Sequence, residues 1–286
     1  MTKNVLITGT STGVGFESAV LFAQNGYKVY ATMRNLNKAD ELKKRIEEEN
    51  LNIELLPLDV TDIKSIQAAV NSVVEKDGKI DVLINNAGAG FAKTTEQSTV
   101  EEIKWVTEVN YHGVVYCTQV VLPFMRKQKS GQIINVTSVG GLVGQPFNEL
   151  YCGAKFAVEG YMEALATYVS DAFNIKISNV EPGGIITEFM NSAVEKTITD
   201  GQLAKGEYLP IFNKYLSKIQ KRTDESRVPL HQTGLQVAEV ILTVAQNDNP
   251  PLRVRTSDWA ENLCNLKTQA DPDGKKIVNQ VKEYFL

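Results

Sequence analysis

Short apolar runs alternate with amphipathic stretches six times between Lys3 and Val180, and this rhythm constrains the fold more than any single residue. The apolar runs are Lys3 to Thr8, Tyr27 to Met33, Ile53 to Leu58, Asp81 to Asn85, Gln132 to Val136 and Lys176 to Val180. Helical patterns fill the gaps: Phe16 to Asn25, closed by Gly26; Asn37 to Asn50, with Leu42 and Ile46 spaced i, i+4; Asp62 to Lys76; Ser98 to Lys127; and Leu150 to Phe173. A strand linked to the next by a crossover helix returns to the same edge, so the strands are parallel. Val5-Leu6-Ile7, Val82-Leu83-Ile84 and Ile133-Ile134 are nearly continuous apolar runs, as in a sheet covered by helices on both faces. The expected fold class is α/β, with a single doubly wound parallel sheet.

The rhythm breaks after Val180. Residues 188–230 mix short helical patterns with Gly201, Gly206, Pro210 and Pro229, then helix Leu235 to Gln246 and a β run from Leu252 to Thr256 resume it. Residues 258–286 are left as a C-terminal tail. A length of 286 residues could hold two average domains. No repeat, low-complexity stretch or linker divides the chain, however, so one domain over 1–286 is expected, with 188–230 as an insertion. Thirty Lys and Arg against 34 Asp and Glu give a net charge of −4, which offers no basic field for nucleic acid. Cys117, Cys152 and Cys264 form no disulfide framework, and with two histidines no metal site is expected. Val5-Leu6-Ile7 is too short for a signal-peptide core, and no run approaches the about 18 apolar residues of a membrane span. A cytoplasmic protein is the expectation.

Thr8-Gly9-Thr10-Ser11-Thr12-Gly13-Val14-Gly15 falls between the first strand and the first helix, where a doubly wound sheet offers backbone amides to a pyrophosphate. Taken alone, the glycines are equally consistent with a plain tight turn. Together with five later motifs the turn resembles the signature of the short-chain dehydrogenases/reductases, whose fold is the Rossmann fold. Those motifs are Asn85-Asn86-Ala87-Gly88, Val109-Asn110, Ser138, Tyr151-x3-Lys155 and Pro182-Gly183-x-Ile185-x-Thr187, all in the family's order. The resemblance covers residues 3 to 190 closely. It implies a dinucleotide held by Gly9, Ser11, Gly13, Val14, Gly15, Asp59, Val60, Asn86, Ala87, Gly88, Tyr151, Lys155, Pro182, Gly183, Ile185 and Thr187. Within that set Asp59 contacts the adenine, the Asn86 to Gly88 turn approaches the ribose, and Ile185 and Thr187 hold the carboxamide. Asp59 could otherwise cap the helix after it, although Thr61 or Asp62 fits that cap better.

The end of the second strand points to which nicotinamide cofactor is used. An NAD site usually places an acid there to bind the ribose 2′-hydroxyl, but this chain has Met33 followed by Arg34. A guanidinium pairs with a 2′-phosphate, and no carboxylate repels it. NADP(H) is therefore the expected cofactor and NAD(H) the second candidate. A solvated Arg34 is the bland alternative, and Thr12 is not the basic residue that many NADP-preferring relatives carry in the turn.

Tyr151 and Lys155 lie four apart in a helical pattern and share a face. A free tyrosine has a pKa near 10, and an adjacent ammonium favours its phenolate. The resemblance implies that Tyr151 gives or takes the proton of the reacting oxygen and that Lys155 lowers its pKa and holds the nicotinamide ribose. It further implies that Ser138 polarises the substrate oxygen and Asn110 holds a water beside Lys155. Cys152 beside the tyrosine reads as packing, and His112 and His231 show no partner constellation.

Val139, Leu142, Val143, Phe147, Phe189, Met190, Leu203, Tyr208, Ile211, Phe212 and Tyr215 are candidate walls for a greasy carbonyl or secondary alcohol. Packing of the insertion against the sheet would explain most of them equally. Tyr30-Ala31-Thr32-Met33-Arg34, the long insertion and Pro251 to Arg255 are similar to the hydroxysteroid- and retinol-dehydrogenase branch. The family's dimer surface implies a homodimer or homotetramer through the Tyr111 to Lys127 and Leu150 to Phe173 helices. An NAD-dependent alcohol dehydrogenase and a non-catalytic dinucleotide-binding regulator are the rival readings, and the complete Asn110, Ser138, Tyr151 and Lys155 set speaks against the regulator.

Overall fold

A computed structural model of the protein describes residues 2–186, 206–225 and 231–286. Its strands are β1 (Asn4–Thr8), β2 (Lys28–Met33), β3 (Ile53–Pro57), β4 (Val82–Asn85), β5 (Gly131–Val136), β6 (Ile175–Glu181), β7 (Gly184–Ile186), β8 (His231–Thr233) and β9 (Arg253–Arg255). Seven of them form one parallel sheet in the order β3-β2-β1-β4-β5-β6-β9, and β7 pairs with β8 in a two-stranded parallel ribbon that the sequence pattern did not announce. The chain winds outward from β1 to β3, then returns to β4 on the other side of β1. A crevice therefore opens above the carboxyl ends of β1 and β4, the switch point where doubly wound sheets bind ligands.

Alternate residues of each strand feed opposite faces. Leu6, Tyr30, Leu83, Ile133 and Ile177 pack in one core, while Val5, Ile7, Val29, Ile84 and Ile134 pack in the other. The first core is covered by α3 (Ile63–Asp77), α5 (Gly113–Gln128) and α6 (Glu149–Phe173). The second is covered by α1 (Gly13–Gln24), α2 (Asp40–Glu49) and the later helix at Gly234–Gln246. Each fully buried Leu or Ile is worth about 1.5–3 kcal/mol over its exposed state, so both faces hold the sheet.

Helix boundaries follow local chemistry. Asp62 caps α3 by accepting the Lys64 N–H at 2.9 Å, and Gly78 ends it with φ 75°. The stretch read as one helix from Asn37 begins with a 3-10 turn at Leu36–Lys38 before α2. The stretch read as helical from Ser98 is interrupted between α4 (Val100–Thr107) and α5 by a π-helical turn, Glu108–His112. Beyond β7 come α7 (Leu209–Glu225), which belongs to the insertion, and α8 (Gly234–Gln246). The tail is helical: α9 (Asp258–Thr268), capped by Ser257, and α10 (Lys275–Phe285). Among the described residues no helix is long and apolar enough to cross a membrane.

Candidate active site

The glycine turn is built by mutual bracing of the β1 and β4 ends. The Asn86 and Ala87 N–H groups both donate to Thr8 Oγ1 at 3.0 Å. Asn86 Nδ2 donates to the Thr8 and Gly9 carbonyls, both at 2.9 Å. These contacts leave no room for side chains. A Cβ on Gly15 would lie 2.2 Å from Gly9 O and 2.4 Å from Asn86 Nδ2, and one on Gly9, where φ is +73°, would lie 2.8 Å from Ala87 Cα. The N-terminus of α1 follows directly. Thr12 gives it no side-chain cap, and no acid sits in its first turn, so the amides of Val14 and Gly15 and the helix dipole fit a pyrophosphate.

Neighbouring predicted contacts fall around the same crevice. Arg34 is exposed just beyond buried Met33 and makes no ion pair among the described residues. Asp59 spends Oδ1 on the Thr61 N–H and hydroxyl at 2.9 and 2.8 Å, rather than capping α3. Val60 is 7% exposed and packs where a Cβ on Gly113 would come within 2.9 Å of it. Ser11 is half-buried in the turn.

Four elements converge at the carboxyl ends of β4 and β5. Ser138 caps a 3-10 turn, its Oγ accepting the Gly140 N–H at 2.9 Å, and it also hydrogen-bonds Tyr151 of α6. Lys155, one turn further along α6, is 4% exposed; its Nζ donates to Val136 O at 3.0 Å and lies 5.7 Å from the Tyr151 ring centre. A Cβ on Gly88 would lie 3.1 Å from Asn110 Oδ1 and 3.7 Å from Lys155 Nζ, so the β4 turn meets both residues.

Asn110 is fully buried in the π-helical turn, and its side chain is a clamp. Oδ1 accepts the Ala89 N–H at 3.0 Å, and Nδ2 donates to Ala89 O at 2.9 Å and Val106 O at 3.0 Å. Both amide hydrogens are thus committed to backbone carbonyls.

Burial dominates the electrostatics of Tyr151 and Lys155. Burial pushes the Tyr151 hydroxyl up to about 12, with the Ser138 hydrogen bond opposing it. The Lys155 ammonium donates to the Val136 carbonyl while lying near the Tyr151 ring. Burial also brings Lys155 down to about 8, against the attraction of the Glu159 carboxylate. Cys152 is buried and its thiol raised chiefly by burial, as a packing role requires. His112 does have a partner: Nδ1 lies 2.7 Å from Glu108 Oε2.

The far wall is set by the loop after β6 and by the tail. Pro182 O accepts the Val139 N–H at 2.9 Å, and a Cβ on Gly183 would lie 2.7 Å from the Trp259 ring of α9. Trp259 was missed in the sequence because nothing local marks a tail residue as a loop support. Ile185 sits in β7 beside Gln232 of β8. Thr187, Phe189, Met190 and Leu203 lie outside the described residues. Of the candidate substrate walls, Val139 and Leu142 pack on Ala260 and Cys264 of α9, whereas Ile211 is exposed. Phe147, with φ +64°, forms an aromatic cluster with Phe212 at 5.0 Å and Tyr215 at 5.4 Å, joining α7 to the loop just before Tyr151.

The fold and this constellation define an oxidoreductase of the short-chain dehydrogenase family. The chain belongs to that family: the family profile, short chain dehydrogenase, matches residues 3–198. Among its relatives is the 3-ketodihydrosphingosine reductase of Bacteroides thetaiotaomicron, 37% identical over 91% of this chain and 89% of that protein. Retinol dehydrogenase 8 of Bos taurus is 36% identical over 96% of this chain and 88% of that protein. Among solved structures, ElxO with NADP bound superposes with a TM-score of 0.73 at 30% identity, over 90% of this chain and 98% of that one.

Proposed function

We propose that this chain is an NADP(H)-dependent oxidoreductase that moves a hydride between nicotinamide and an apolar carbonyl or secondary alcohol, with Tyr151 as acid/base. One domain over 1–286 carries it, with 188–230 as the substrate lid and 258–286 as its support. The observation that carries the reading is the meeting of Ser138, Tyr151, Lys155 and the Asn110-clamped Gly88 turn in one crevice beside the α1 N-terminus.

The uncapped α1 amides, in the turn of Gly9, Ser11, Gly13, Val14 and Gly15 where Gly9 and Gly15 are packed too closely for side chains, would hold the pyrophosphate. Asp59 and Val60 would flank the adenine, and Asn86, Ala87 and Gly88 the ribose. Arg34, exposed and without an ion pair among the described residues, would take the 2′-phosphate. Pro182, Gly183, Ile185 and Thr187 would hold the carboxamide. The nicotinamide, when bound, supplies or accepts the hydride at its C4, so the protein's task is to bind, orient and move a proton.

Ser138 orients the substrate oxygen toward the Tyr151 hydroxyl. In reduction Tyr151 donates its proton to that oxygen as the hydride reaches carbon, and in oxidation it takes the proton back. Burial alone disfavours the phenolate, so the charge of Lys155 is needed to hold it. Because the Asn110 side chain is committed to Ala89 and Val106, its main-chain carbonyl would hold the water beside Lys155. The kinship with a 3-ketodihydrosphingosine reductase and a retinol dehydrogenase supports an apolar substrate.

The test is NADPH oxidation, followed by absorbance, over aldehydes, ketosteroids, aromatic ketones, β-keto esters and long-chain 3-keto amines. Turnover with at least one apolar carbonyl is expected. Tight NADPH binding with no turnover across the panel would favour a dinucleotide-binding regulator instead.

A further inference from the structure

The catalytic helix carries a third charged residue that the proposed mechanism does not use. Glu159 follows Lys155 by four residues on α6, is only 8% exposed, and lies beside the loop after β5. A Cβ on Gly141 of that loop would lie 3.0 Å from Glu159 Cγ and 3.2 Å from Lys155 O, so the loop seals both residues from one side.

A buried ladder of asparagines ends on this carboxylate. Asn85, Asn135 and Asn179 stand in register across β4, β5 and β6, exposed by 3%, 1% and 0%. Asn85 Nδ2 donates to Asn135 Oδ1 at 2.9 Å, Asn135 Nδ2 to Asn179 Oδ1 at 2.9 Å, and Asn179 Nδ2 to Glu159 Oε2 at 2.6 Å. A carboxylate only accepts hydrogen bonds, so Glu159 fixes the direction of every amide in the row. Three aligned amide dipoles then point their positive ends at one anion. Oε1 has no hydrogen-bond partner among the described residues.

Lys155 needs such a charge. It is more buried still, and its hydrogen bond among the described residues goes to the neutral Val136 carbonyl. We infer that Glu159 is a positioning residue for the reaction: held at the end of the asparagine ladder, its carboxylate keeps the Lys155 ammonium charged while Tyr151 works. This rests on the function proposed above.

Other charged or titratable groups face Glu159: Glu181 on β6, Arg253 on β9 and the Cys264 thiol on α9, with Arg255 paired to Glu181 at 3.2 Å. Burial lifts Glu159 to about 6, with Thr137, Asn179, Arg253 and Lys155 opposing, so the carboxylate is ionised where Lys155 titrates near 8.

Reduction needs Tyr151 protonated and Lys155 charged, so kcat/KM falls at alkaline pH with the first proton lost from that pair. Removing a nearby negative charge makes that loss easier, whichever group gives up the proton. Glu159→Gln is therefore expected to move the alkaline limb of NADPH-dependent reduction to lower pH by about one unit, while Glu159→Asp returns it toward the wild-type position. A Glu159→Gln limb that coincides with wild type overturns the inference.

Should Glu159→Gln not fold, the wild-type chain decides. In protein labelled with 13C at lysine Cε, with Lys155→Met identifying the signal, Lys155 is expected to show its own titration and a second step near pH 6 from Glu159. A single step overturns the inference. Absence of any wild-type reductase activity would instead contradict the proposed function, and the lysine titration would still judge Glu159.

Discussion

The Tyr151 hydroxyl and the Lys155 amine are both driven toward their neutral forms by burial, to about 12 and about 8. An isolated pair of this kind would be a poor proton donor and a poor phenolate stabiliser, so the site depends on charges supplied around it. Arg34 plays a different part, standing exposed where β2 ends. Arg34→Asp removes the partner of a 2′-phosphate and adds repulsion. The ratio of NADPH to NADH activity is expected to fall by at least about tenfold, since hydrogen bonds to charged groups are worth about 1.5–3 kcal/mol. An unchanged ratio would show that Arg34 is a solvated surface cation. Legibility at this scale was uneven. Tyr151, Lys155, Ser138 and Asn110 could be read as candidates because their joint order resembles the family's motifs. Glu159, Asn135 and Asn179 could not, although the clue existed: Asn85, Asn135 and Asn179 each stand near the carboxyl end of a strand. What the sequence hides is that two strand registers align all three.

Among the elements, the β1 turn is where backbone packing decides binding. Gly15→Ala would press a methyl into the Gly9 carbonyl and the Asn86 amide. Overpacking costs about 1–3 kcal/mol, so thermal unfolding should fall by about 2–10 °C. NADPH affinity should drop with it, and a variant as stable and as tight-binding as wild type would refute the packing account. The described part of the insertion is held by a ring cluster, with Phe212 only 6% exposed between Phe147 and Tyr215. Phe212→Ala is expected to raise KM for a bulky apolar carbonyl by about tenfold, because aromatic pairs contribute about 0.5–1.5 kcal/mol each beyond burial. NADPH binding should be unaffected, and an equal loss for a small ketone would assign the cluster to packing alone. Alternation made the strands and most helices readable. It could not show the π-helical turn at Glu108–His112, which is a local change of hydrogen-bond register within one amphipathic pattern. Nor could it show β7 and β8, whose three-residue strands carry too few residues for a period.

For the whole molecule, much of the described chain beyond the sixth strand supports the crevice. Trp259 of α9 closes on Gly183, Ala260 and Cys264 pack on Val139 and Leu142, and Arg255 ties buried Glu181 to Glu261. Residues read as a tail are therefore part of the wall that positions the site; their helices were hidden because their role is tertiary. A homo-oligomer through α5 and α6 remains the proposal for assembly. Light scattering should give two or four times the chain mass, and a monomer at micromolar concentration would contradict it.

The central claim is that the Tyr151 hydroxyl performs the proton transfer, and Tyr151→Phe tests it most directly because the ring is kept and only that hydroxyl is lost. NADPH titration by fluorescence should match wild type, while NADPH oxidation with the best carbonyl of the panel should fall by at least about 10²-fold. Turnover retained in the phenylalanine variant at full cofactor occupancy would contradict it.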